Sequence, residues 1–232
     1  MNREKMKILA TDTAEKSCSV AVINGRNLLA EIIVINQETH SRHLMGMVDT
    51  CLNMSRLDIS DIDAFAVAKG PGSFTGLRIG ISVIKGLAAA SGKPIIGISD
   101  LDALAHQCAV SDLPICVMID ARKSEVYTCR YRFVNGQLSS QGEPYALSPE
   151  NAISGIDMTH LFVGSGALLY QEKICQTLGE LARFAPDDAH ILRASTIARL
   201  GYERLIRGES EDSASFVPQY LRKADAKMPS AS

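Results

Sequence analysis

Residues 69–82 read KGPGSFTGLRIGIS, with four glycines set between an apolar run, DAFAVA (63–68), and a helical pattern. How that turn is read decides the fold. A glycine-rich loop opening a helix is the usual cradle for phosphate, because backbone amides at a helix N-terminus face the anion. A Walker loop, however, needs G-x-x-x-x-G-K-[ST], with its lysine at the phosphates. Here Gly70 leads to Thr75-Gly76 and then Leu77, and the next lysine, Lys85, lies well inside the helix. Pro71 removes an amide donor, and Ser73 and Thr75 suit helix capping instead. On a helical wheel Gly76, Gly80, Val83 and Leu87 share one side, with Phe74, Leu77, Ile81, Ile84 and Ala88 beside them. Only Thr75, Arg78, Ser82 and Lys85 form a polar strip, so the apolar arc is about twice what a one-sided helix needs. Each glycine costs about 1 kcal/mol against alanine in a helix, which points to close approach by another backbone.

The preceding helical pattern is just as broad: Leu44, Met45, Met47, Val48, Cys51, Leu52 and Met54 span about half its circumference. Methionine suits a surface that repacks against partners. The expectation is therefore that Leu44, Met47, Val48, Cys51, Gly76, Gly80, Val83 and Leu87 form an interface between chains. Coverage of these faces by the chain's own second lobe is the alternative.

Outward from this stretch, KILATDT (7–13) is a buried strand ending at Asp12. SCSVAVING ends at Asn24-Gly25, a strong hairpin signal, and RNLLAEIIVI is its partner. Thr39 is a plausible N-cap for the first helix. The second helix stops at Gly92 and Pro94; KPIIGIS is a fifth strand and DLDALAHQCA a third helix. The order β-β-β-α-β-α-β-α differs from a Rossmann βαβαβ unit and is that of the ribonuclease-H-like unit of actin and sugar kinases. A second round begins at PICVMIDA, with hairpin strands around Asn135-Gly136, a later strand HLFVGSG, and helices near 167–180 and 195–207. The fold class is α/β, with two actin-like lobes, 1–106 and 107–232, around a cleft.

The 232 residues are 46% hydrophobic and 22% charged, with a formal charge of −2. Nucleic-acid binders usually carry a basic face, so RNA would have to be held by something else. Six scattered cysteines without a C-x-x-C fit a reduced compartment rather than a disulfide frame or zinc site. No apolar run reaches the length of a membrane span and the N-terminus lacks a signal-peptide core, so the expectation is a cytoplasmic protein without membrane contact.

Asp12 and Thr13, at a strand end, could order a nucleotide's magnesium waters or simply cap the turn. Gly164 and Gly166, in VGSGALLY, could open an adenosine-binding loop. Arg122 and Lys123 could pair with a partner's acids or with Asp120. His40 and His43 are three apart on one helix and suit a surface or cap better than a metal, and H-E-x-x-H is absent. Arg222, Lys223 and Lys227 make a basic tail that could touch RNA or a partner.

Four stretches in this order, ILATDTAEKSCSVAV (8–22), KGPGSFTGLRIGISVIKGLA (69–88), IDARKSEVY (119–127) and PQYLRK (218–223), resemble the TsaB (YeaZ) family. The resemblance implies a degenerate, non-catalytic homologue of the TsaD transferase with no cofactor or metal of its own. It implies binding to TsaD and TsaE, and a homodimer in isolation through the two first-lobe helices. The role implied is support of N6-threonylcarbamoyl modification of the adenosine next to the tRNA anticodon, with tRNA met only through the complex. TsaD carries a metal-binding H-x-x-x-H after a G-[VI] strand end. Aligned on Gly97-Ile98, its ligands fall at Asp100 and Leu104, and leucine binds no metal. The alternative is a stand-alone actin-like ATPase or small-molecule kinase, with weak nucleotide contact at Asp12, Thr13, Gly164 and Gly166.

Overall fold

The computed structural model describes residues 5–35 and 40–221; Thr39 and the tail residues Arg222, Lys223 and Lys227 lie outside the described residues. The chain opens with β1 (Lys7–Asp12), β2 (Ser17–Asn24) and β3 (Asn27–Ile35), an antiparallel meander. Its hairpin closes where Asn24 pairs with Asn27, and Gly25 supplies the positive φ that this turn requires. Then come α1 (Leu44–Met54), β4 (Ala64–Gly70), α2 (Phe74–Ser91), β5 (Ile95–Ser99) and α3 (Asp100–Gln107). The sheet order is β3-β2-β1-β4-β5, with β4 parallel to β1 and β5 parallel to β4.

The second sheet repeats the first. It is built from β6 (Ile115–Arg122), β7 (Glu125–Val134), β8 (Gln137–Ser140), β10 (His160–Val163) and β11 (Ala182–Phe184), with β9 (Tyr145–Leu147) beside β7. Its order, β8-β7-β6-β10-β11, again joins an antiparallel meander to two parallel strands. Helices α4 (Pro149–Ile153), α5 (Ser165–Leu169) and α6 (Gln171–Leu178) belong to this lobe. The duplication expected from element order is present.

The division at residue 107 is corrected in one respect. The last helix, α7 (Ala194–Ile206), returns to the first lobe and packs on β1, β2, β4 and β5. The reason is apolar surface. Helix α2 covers one side of the central strands, and their other side needs its own cover. Ile197, Ala198, Gly201, Tyr202 and Leu205 provide it and are buried there. The chain beyond α7 stays with this lobe: the Glu211 amide donates to the Ile95 carbonyl at 2.9 Å, and Phe216 is buried against Gly97. The first lobe is thus assembled from both ends of the chain.

Candidate functional site in the interlobe cleft and on the outer helices

The glycine-rich turn is a socket for the chain's own β1–β2 loop. The Thr13 hydroxyl donates to the Gly76 carbonyl at 2.7 Å, and the Ser73 amide donates to the Ala14 carbonyl at 2.6 Å. A Cβ at Gly76 would overlap the Thr13 carbonyl oxygen, and one at Gly80 the Thr13 hydroxyl. The close approach predicted for these glycines is real, but the neighbour belongs to the same chain. Leu44, Met47, Val48 and Cys51 are also buried; the Cys51 thiol donates to the Ala30 carbonyl at 3.5 Å on β3. Six of the eight expected interface residues are therefore inside the first lobe. Val83 and Leu87 lean on the core while staying half-exposed.

What α1 and α2 turn outward is a different set. Met45 and Met54 are 44% and 69% exposed. Gly46 and Gly86 sit mid-helix with nothing within 4 Å of an added Cβ. Helix α2 is long and apolar enough to cross a membrane by length and composition, yet only a third of it is buried.

Between the lobes lies a cleft of about 730 Å³, lined among others by Glu15, Phe74, Asp120, Arg122, Ser165 and Tyr220. The size suits a small ligand, but the amides of both candidate phosphate loops are engaged. The Gly70 amide donates to Asp100 Oδ1 at 3.0 Å, and the Gly76 amide to Ser73 Oγ at 3.2 Å. The Gly164 amide donates to His190 Nδ1 at 3.1 Å, and His190 Nε2 donates to the Ala185 carbonyl at 2.9 Å. A Cβ at Gly164 would overlap the Met118 carbonyl, and one at Gly166 would crowd Met118, Ile119 and Val126. These two glycines let α5 lie against β6, which corrects their reading as nucleotide contacts.

Asp12 and Thr13 are corrected likewise. Both are buried and neither lines the cleft. Asp12 Oδ1 accepts the Ala14 amide at 2.8 Å, the turn-capping role, while its Oδ2 has no partner. Asp100 Oδ2 is similarly unpartnered. Burial pushes the Asp12 carboxyl up to about 8, with the Glu15 charge adding to it. Asp100 stands well above the usual carboxylate range through burial and the Asp12 charge. Interacting buried acids of this kind hold protons that exposed ones would lose.

Glu15 had no signal in the sequence, where AEKS reads as a solvated loop. Its carboxyl takes a hydrogen bond from Ser165, and burial pushes it up to about 7. The Asp120 amide donates to Ser165 Oγ at 3.1 Å. Arg122 pairs with Asp120 at 3.4 Å, which settles the partner offered for it above. Arg122, Lys123 and Ser124 all adopt φ between 52° and 62°, a left-handed turn built without glycine. His40 Nε2 donates to the Glu15 carbonyl at 2.7 Å, and His106 packs edge-on against Phe133. Among the described residues no group of three or more metal-ligating side chains occurs. At the cleft mouth Tyr220 stacks on Phe74, with centroids 4.8 Å apart, and its hydroxyl accepts from Arg78 at 3.3 Å.

Comparison with known proteins agrees with this architecture. The family model of TsaD, tRNA N6-adenosine threonylcarbamoyltransferase, matches residues 28–230. The tRNA threonylcarbamoyladenosine biosynthesis protein TsaB of Bacillus subtilis is 33% identical over 225 residues, 96% of each chain. The structure of YeaZ from Pseudomonas aeruginosa superposes with a TM-score of 0.79 at 30% identity, covering 93% of this chain and 100% of that one. An activator of 2-hydroxyisocaproyl-CoA dehydratase from Clostridium difficile, solved with bound ADPNP, shares the fold alone. Its TM-score is 0.54 at 9% identity, over 88% of this chain and 97% of that one. With two ribonuclease-H-like sheets in an actin-like arrangement and near full-length identity to its curated relatives, the chain belongs to the TsaB (YeaZ) family.

Proposed function

We propose that this protein is a non-catalytic subunit in tRNA threonylcarbamoyladenosine synthesis, acting by docking TsaD through the outer face of α1 and α2. TsaE joins that assembly, tRNA is met through it, and the same face closes a homodimer when the protein is alone. The protein works in the cytoplasm without a cofactor of its own. The observation that carries this reading is the pair Gly46 and Gly86. Each weakens a helix by about 1 kcal/mol, and no atom of this chain comes within 4 Å of where their side chains would stand. A second backbone approaching from outside gives them a purpose. The ATPase or kinase alternative meets loops whose amides are already bonded within the chain.

The test uses Gly86→Leu and Gly46→Leu, with association measured by light scattering, alone and with TsaD, beside a thermal melt. Each variant is expected to melt at or above the parent temperature, because the helix gains propensity. Each should bind TsaD about tenfold to a hundredfold more weakly, the effect of 1–3 kcal/mol of overpacking. Unchanged association in both variants, or a parent that never binds TsaD, would overturn the proposal.

A further inference from the structure

Glu15 comes from the β1–β2 loop of the first lobe, and its carboxyl meets Ser165 at the start of α5 in the second. Ser165 Oγ already accepts the Asp120 amide, so its hydroxyl proton is directed to Glu15. A continuous path, Asp120 amide to Ser165 to Glu15, therefore ties the lobes together in the cleft. The backbone of Glu15 is anchored from its own lobe by His40. Its Oε1 is buried without a hydrogen-bond partner, a costly arrangement for an ionised carboxylate. Asp120 and Arg122 face it from the β6–β7 turn, and Lys16 flanks it on its own loop. Behind it are Asp12 and Asp100, both of which feel its charge. Asp187 and His190 line the same cleft from the far side.

We propose that Glu15 is an interlobe latch. With its carboxyl neutral, the β1–β2 loop rests on Ser165 and Asp120 and the cleft is narrow. When it ionises, repulsion from Asp120 and hydration of Oε1 separate the lobes. The proton passes to bulk water, and the device does not depend on any partner. The balance of forces places the transition near neutrality. Burial is the largest influence and raises the carboxyl to about 7; Asp120 raises it too, while Ser165, Arg122 and Lys16 lower it.

Ile35 and Leu169 line the cleft and are 60% and 58% exposed. Replacing each by cysteine for spin labelling, in a Cys175→Ser background, is practical because the five other cysteines are buried. Pulsed electron spin resonance across a pH series from 6 to 8 then reads the distance between the labels. The distance is expected to lengthen with pH, with a midpoint near 7. Glu15→Gln should hold it short throughout. Arg122→Ala should move the midpoint up and Asp120→Asn should move it down, and these two variants keep the test alive if Glu15→Gln fails to fold. A distance that does not change with pH, a change that survives Glu15→Gln, or a midpoint indifferent to both charge variants would overturn the latch.

Discussion

At the scale of the residue, the acids Asp12 and Asp100 set a pH dependence opposite to that of ordinary surface carboxylates. Both are fully buried with one oxygen unpartnered, and both are raised above their unfolded value. The native state therefore binds more protons than the unfolded chain. Stability from this site is fully present below about pH 4, where the unfolded aspartate titrates, and is lost as pH rises through about 8. Asp12→Asn keeps an oxygen for the Ala14 amide and removes the charge. Thermal melts from pH 5 to 9 should show a flatter pH profile for the variant. At pH 8.5 its melting temperature should exceed the parent's by about 2–4 °C, what 1 kcal/mol gives in a chain of this size. A variant with the parent's slope would contradict the account. The sequence marked Asp12 through its position at a strand end. It could not mark Asp100 as a neighbour, because only the β4–β5 pairing and the start of α3 bring that side chain under the Gly70 amide. Glu15 was hidden for the same reason: a short polar loop looks solvated until a second lobe covers it.

At the scale of the element, α2 answers the question its glycines pose. Its inner glycines admit the Thr13 backbone and hydroxyl, while Gly86 faces outward. Gly80→Leu should therefore destabilise the folded monomer by about 1–3 kcal/mol, measured by denaturant unfolding at a concentration where the parent is monomeric. Equal stability would mean the helix can shift away from Thr13 at no cost. The periodicity of α2 was legible and its capping followed: Ser73 accepts the Gly76 amide, and Gly92 ends the helix at φ +68°. Which apolar face met the sheet was not legible, because a helix apolar nearly all round gives no direction. The segment after α7 was equally silent. Its Phe216 packs on Gly97, Lys85 donates to the carbonyls of Ala214 and Phe216, and the Gln219 amide donates to the Lys69 carbonyl. Such contacts join residues far apart in the chain, beyond the reach of local pattern. Phe216→Ala should cost about 3 kcal/mol or more by the same unfolding measurement, whereas a loss below 1 kcal/mol would reduce this segment to a loosely attached tail.

At the scale of the whole molecule, the strand meanders and crossovers were readable because hairpin signals and helix stops recur in the same order twice. The two sheets reproduce that order strand for strand. The return of α7 to the first lobe was not readable, since an amphipathic helix does not declare which sheet it covers. The assembled molecule has a cleft whose loop amides are bonded internally and an outer helix pair whose glycines touch nothing. It is built to be bound more than to react. The most direct measurement is the yield of threonylcarbamoyl-modified tRNA from purified TsaD, TsaE and precursors, without this protein, with it, and with Gly86→Leu. The account predicts little product without the protein, full product with it, and at least a tenfold loss with the variant at limiting concentration. It also predicts that the Asp12→Asn protein supports the parent's yield, because Asp12 lies under the turn and performs no chemistry. Full modification without this protein, or an Asp12→Asn protein that assembles with TsaD normally yet yields no product, would contradict it.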